Sequence, residues 1–311
     1  MMRWRNKSDI LYPECFSFLI FAFTYHGKVA WDNKKQTGKY FSKEQSVFYK
    51  KSLGDKNGQE LVFNWGNFIA MFLRAFVMII AMSTTTLISY YSKKAGASFS
   101  VMSSILALAS FFTAVLFYIL YKEKLYLRHL MGMLCLIICV AFIAISKQLK
   151  LEDSEQYQQL LASGVEITPL YVPIAFALFQ CINFTLASLF LRIAIKHGYT
   201  TLQFSVDFHL TASIFFLLGF IYTQLYTDDP FTFGLCIYII IAGVAITSAL
   251  TFLNFALKLG KGGLAIAISQ TNSCFQLIFE MIFESRIPNI YEVIAIAFAV
   301  IGAMIIAIVK Q

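Results

Sequence analysis

The chain has 311 residues, of which 59% are hydrophobic and only 14% charged, and its mean hydropathy is +0.69. Soluble domains carry about 25% charged residues, so this composition argues against a soluble enzyme and for a chain whose apolar surface faces lipid. The net charge of +8 lies mostly between apolar runs, where it reads as membrane topology rather than as a nucleic-acid footprint.

Apolar runs of about 20 residues are transmembrane candidates, and nine are predicted: 10–29, 68–91, 98–121, 129–146, 170–195, 202–224, 231–257, 263–283 and 291–309. The first is interrupted by Pro13, Glu14, His26 and Lys28, and without a clear cleavage site it reads as a retained helix rather than a signal peptide. Segment 31–67 then forms a soluble loop with seven Lys and no Arg. The fourth and fifth spans are separated by an acidic linker, 147–169, carrying Glu152, Asp153, Glu155 and Glu166.

The positive-inside rule assigns 31–67 to the cytosol, and strict alternation then assigns 147–169 to the extracytosolic or lumenal side. Arg3, Arg5 and Lys7 are misplaced in this scheme, which points to something missing upstream. The sequon Asn6-Lys7-Ser8 lies too close to the first span for easy glycosylation, and Asn183-Phe184-Thr185 is intramembrane.

The second to fourth spans resemble the last three. Residues 68–91 run into Lys94 and Gly96, and 231–257 run into Lys258 and Gly260. The next span in each half opens in small residues, Ala97-Ser98 and Gly262-Gly263. Those spans end in Tyr121-Lys122-Glu123-Lys124 and Phe283-Glu284-Ser285-Arg286. An almost polar-free helix closes each half, 131–145 and 293–309. Repeats of this kind mark secondary transporters.

These marks, with Leu73-Arg74-Ala75, resemble the drug/metabolite transporter superfamily, in its EamA-type branch related to nucleotide-sugar transporters. The resemblance covers about 64–310. It implies an all-α, polytopic membrane fold of two inverted five-helix repeats, here about nine transmembrane helices because the first of ten is absent, truncated or lost. The domains implied are an incomplete first repeat, 1–146, the linker 147–169, and a complete second repeat, 170–311. The two polar-free helices would face lipid or a homodimer partner.

Intramembrane polar side chains need a partner or a wet cavity. Helical stripes of them are Ser269, Asn272, Gln276 and Glu280; Thr247, Thr251, Asn254 and Lys258; Gln203, Asp207 and Thr211; and Gln180 with Asn183. Gln180, Asn183, Asn254, Asn272 and Gln276 are the candidate substrate-binding residues, expected to converge on one cleft. Amides offer donors and acceptors but no fixed charge, which points to an uncharged or zwitterionic solute. The alternative is that such groups simply bond between helices. Asp207 and His209, two apart, face different sides of one helix.

The six cysteines all lie in apolar runs and form no CxxC pair, so no metal site or disulfide framework is expected. No catalytic constellation and no cofactor motif is present. The expected function is secondary transport of a small polar organic solute by alternating access, in a multi-pass protein of the plasma membrane or an endomembrane. Its partners are the solute and membrane lipid, not nucleic acid. The alternative is a non-transporting membrane protein of the same ancestry, a pseudotransporter or scaffold, which the absent helix supports.

Overall fold

The computed structural model describes residues 12–53, 59–95, 99–106, 108–123, 126–153, 168–169, 171–227, 230–260, 262–269, 272, 275, 278–279, 282 and 290–308. It is mostly helical. The helices are α1 (Glu14–Thr37), α2 (Trp65–Lys94), α3 (Phe99–Ile105), α4 (Leu108–Tyr121), α5 (Leu127–Asp153), α6 (Tyr171–Lys196), α7 (Thr201–Tyr226), α8 (Phe233–Leu259), α9 (Gly262–Ser269) and α10 (Ile290–Ile308). Within α2, α6, α7 and α8, the segments Trp65–Ser92, Tyr171–Lys196, Thr201–Tyr226 and Phe233–Leu259 are long and apolar enough to cross a membrane. Large apolar side chains such as Phe76, Leu218, Tyr238 and Phe252 are exposed along them. That fits an all-α membrane protein, since soluble surfaces rarely expose contiguous apolar area on this scale.

Three elements differ from the sequence expectation. The first helix does not stop near Val29 but runs to Thr37. Segment 30–37 is polar but contains no breaker, and the helix ends only where Gly38 adopts φ 75° and its N–H donates to Lys34 O at 2.9 Å. The loop expected over 31–67 contains an antiparallel hairpin, β1 (Tyr49–Leu53) and β2 (Gln59–Phe63), in register Tyr49↔Phe63. Aromatic packing fixes it: the Tyr49 and Phe63 rings meet edge to face at 5.7 Å, and Phe63 meets Trp65 at 4.9 Å. Finally, α5 continues to Asp153, so helix occupies the start of the expected linker.

The expected span 98–121 is two helices, α3 and α4. Tight turns bridge the join, with Leu106 N donating to Ser103 O and Ala109 N to Leu106 O. The Sγ of Cys181 lies 3.4 Å from Ile105 O, a carbonyl at the end of α3. A break inside an apolar segment needs such a donor from elsewhere. At the far end of α4, Lys122 takes a left-handed conformation, φ 55°, and Glu123 N closes on Phe117 O.

The chain divides into two compact units, Met1–Ile80 with Leu186–Lys258, and Ala81–Thr185 with Leu259–Gln311. Both draw on both sequence halves, and their boundaries fall inside α2 and α6 and at the end of α8. In the first unit α1 packs along α7. Phe16 meets Phe220 at 5.1 Å and Phe18 meets Phe216 at 6.1 Å. The ring of Tyr12 lies against Gly219, where a Cβ would come within 2.5 Å. α1 also touches α8 closely: Ser17 Oγ donates to Ile240 O at 2.8 Å, and a Cβ on Gly243 would overlap Ser17 Oγ.

In the second unit α4 packs on α9 and α5 on α10. Its core contains Ile88, Met102, Ile105, Met133, Cys139 and Ala295. Phe142 stacks on Phe298 at 5.8 Å and on Tyr291 at 6.5 Å. The two helices considered for a homodimer contact therefore pack on each other, while Leu130, Met131, Leu134, Val293 and Ile301 remain exposed.

Candidate functional site

Two polar clusters hold three of the five sequence-predicted side chains, Gln180, Asn183 and Asn254. In the second unit Gln180 is buried on α6. Its Nε2 donates to Ala81 O at 3.0 Å and to Thr85 Oγ1 at 3.2 Å. Asn183 Nδ2 donates to Gln180 Oε1 at 3.3 Å, so this pair does come together. Two residues further along α6, the hydroxyls of Thr185 and Thr113 are 3.3 Å apart. Cys181, on the same helix, reaches the broken join of α3 and α4.

In the first unit Asn254 is fully buried, and its Nδ2 donates to Ser205 Oγ at 2.9 Å across α8 and α7. Its Oδ1 has no hydrogen-bond partner. Thr247 and Thr251, from the same stripe, bond back to Gly243 O and Thr247 O of their own helix. Asn272 is exposed. Gln276 lies outside the described residues, as do the junction 284–286, Glu280, and the sequon at Asn6.

A cavity lies in the first unit, around Asp207 and Thr211 of the stripe. It has a volume of about 530 Å³ and is lined by Phe23, Phe41, Phe48, Phe63 and Phe68 together with His26, Asp207 and Thr211. A second cavity of about 250 Å³ shares His26, Phe41, Phe48 and Asp207 with it and adds polar side chains, among them Asn33, Ser42 and Gln203.

Asp207 stands where the cavities meet, only 6% exposed. Its Oδ1 is 2.9 Å from His26 Nε2, and its Oδ2 accepts from the Tyr199 hydroxyl at 2.5 Å. The local sequence builds this geometry. Gly198 takes φ 87°, Tyr199 N folds back to Ala194 O, and Thr200 caps α7 by accepting from Gln203 N. That turn brings Tyr199 over the second turn of α7. Burial, and then the Asp207 charge, hold the Tyr199 phenol protonated well above its ordinary range.

The hairpin covers the cavity and is tied down by polar bonds. Asn67 Nδ2 donates to Val47 O at 2.8 Å and to His197 O at 3.4 Å, and Asn64 N donates to Phe48 O at 2.7 Å. Phe48 also meets Tyr199 edge to face at 5.9 Å.

His209 looks elsewhere, as its spacing from Asp207 predicts. Its Nδ1 donates to Ser205 O at 2.5 Å and its ring stacks on Phe208 at 4.2 Å. The buried Arg74 guanidinium lies 4.8 Å over the Phe208 ring. The His26–Asp207 pair is the feature that sequence reasoning missed. Its signals were present: a three-residue polar stripe on α7 and a histidine interrupting an apolar helix. No group of three or more His, Cys, Asp or Glu among the described residues could hold a metal ion.

The class defined by this fold is a mostly helical protein with helices long and apolar enough to cross a membrane. No protein-family model matches the chain, and no curated protein matches it. A crystal structure of a protein is similar in fold, with a TM-score of 0.56 over 98% of this chain and 97% of that one, at 14% identity. The likeness concerns the fold alone.

Proposed function

We propose that the chain is a multi-pass integral membrane protein that carries a small organic solute by alternating access, and that it descends from the drug/metabolite transporter superfamily in its EamA-type branch. The observation that carries the reading is the cavity of the first unit, in which a nine-tenths buried carboxylate, Asp207, faces about 530 Å³ of space among apolar helices. A carboxylate is costly to keep within an apolar bundle, and such groups mark solute or ion paths.

Helix pairing supports two inverted repeats within nine spans. α4 packs on α9 and α5 on α10, each joining a helix to its counterpart in the other sequence half, and α1 packs on α7. The break between α3 and α4 supports the same reading, because discontinuous helices recur beside transporter binding sites. The exposed apolar residues of α5 and α10 suit lipid or a second copy of the chain.

The test is reconstitution of the purified chain into proteoliposomes and uptake from a mixed library of labelled metabolites. Accumulation of at least one solute against empty liposomes is expected, and accumulation of none overturns the reading. Asn272→Ala combined with Gln276→Ala tests the amide site separately. Abolished uptake with intact membrane insertion supports it, and normal uptake removes those residues from the site.

A further inference from the structure

The walls of the first-unit cavity carry a charge pattern that selects among solutes. Five phenylalanines line it, and three of them, Phe48, Phe63 and Phe68, pack on one another with ring centroids 5.8 to 6.4 Å apart. Aromatic faces attract cations within about 6 Å and repel anions. Asp207 supplies an anionic group on the same wall. Its neighbour His26 faces this carboxylate through Nε2 at 2.9 Å. No Lys or Arg among the described residues lines either cavity. Polar side chains, Asn33, Ser42 and Gln203, line the adjoining cavity and meet the first at Asp207.

We infer that this cavity binds an organic cation, with an ammonium group at the Asp207 carboxylate, its apolar body against the phenylalanines, and any polar substituent in the smaller cavity. The inference rests on the transport reading and gives its solute a charge. An anion would meet the carboxylate and the aromatic faces at once. A neutral molecule of the same shape would leave the carboxylate with only its present partners. The volume of about 530 Å³ suits a ligand of metabolite size.

The test is calorimetric titration of the full chain in lipid nanodiscs with three probes of one shape: benzyltrimethylammonium, the uncharged 2-methyl-1-phenyl-2-propanol, and the anion phenylmethanesulfonate. Saturable binding of the ammonium is expected, roughly tenfold or more tighter than the alcohol, with no binding of the sulfonate. Asp207→Asn should weaken the ammonium roughly tenfold or more. Because that change also disturbs Tyr199 and His26, a second variant is needed. Phe48→Leu keeps apolar bulk but removes the aromatic face, and should weaken the ammonium by roughly threefold to tenfold while leaving the alcohol unchanged.

Equal affinity for ammonium and alcohol, binding of the sulfonate, indifference to both variants, or no saturable ammonium binding would each overturn the inference. Uptake of a neutral or anionic solute in proteoliposomes without ammonium binding overturns the charge assignment alone. Ammonium binding without uptake of any solute keeps the site and overturns the transport reading.

Discussion

The Tyr199 hydroxyl donates to Asp207 Oδ2 at 2.5 Å, across the turn that joins α6 to α7. The bond holds a buried carboxylate in place from a residue eight positions earlier in the chain. Tyr199→Phe removes the donor and leaves Asp207 with His26 alone, at a cost of about 1–3 kcal/mol for the lost charged hydrogen bond. The variant also changes the alkaline limit of stability. The folded phenol keeps its proton more tightly than the unfolded one, so its contribution is fully present below about pH 10 and is lost as pH rises beyond the unfolded value toward the folded one. Thermal unfolding in detergent from pH 8 to 11.5 should show wild type converging on the variant at the alkaline end. Parallel curves across that range would refute the linkage.

The close approach of α1 to α8 leaves no room for a side chain at Gly243. Within a bilayer such contacts stabilise through packing rather than through burial from water. Gly243→Ala should lower stability by about 1–3 kcal/mol. Ser17→Ala relieves the overlap at Oγ while losing the bond to Ile240 O, so the double variant should be less destabilised than the two single changes added together. Simple additivity would show that the two positions do not touch.

Gln180 and Asn183 satisfy one another within the second unit. Gln180→Leu strands the Asn183 amide, while the Thr85 hydroxyl keeps its bond to Ala81 O, and should cost about 1–3 kcal/mol. Replacing both amides with leucine removes the orphan at Asn183 and should recover part of that loss. A double variant as unstable as the two single variants together would mean that the amides bond independently.

A single cysteine at the exposed Lys39, in the segment expected to be cytosolic, and another introduced in 154–167 should react with impermeant maleimide from opposite faces of sealed vesicles. Labelling of both from one face would remove the expected topology and the helix count between them.

The long helices α2, α6, α7 and α8 were the legible part of the sequence, because an apolar run of spanning length marks each of them. The break between α3 and α4 was not. Ser104 through Ala109 contain neither Gly nor Pro, and the Cys181 sulfur beside the Ile105 carbonyl comes from 76 residues away. The hairpin was hidden by its charge: Lys50, Lys51 and Glu60 made 49–63 look like loop, while the contacts that fold it run between aromatics. His26 read as a defect in a weak helix, and its meaning emerges only with Asp207, 181 residues later. Of the five amides singled out, the structure joins Gln180 to Asn183 through an i, i+3 relation that spacing can reveal, and gives Asn254 a partner, Ser205, that spacing cannot.

The pairing of α5 with α10 sets a schedule for biosynthesis. About 140 residues separate the end of α5 from the start of α10, roughly seven to thirty seconds of translation at ordinary elongation rates. Through that interval Phe142 lacks the rings of Tyr291 and Phe298 that later stack on it. Until then α5 has only its earlier neighbours such as α3 to pack on, and the core of its unit closes only after α10 has left the ribosome. A nonsense mutation just before Ile290 would leave α5 permanently without that cover, with an apolar face that quality control can recognise.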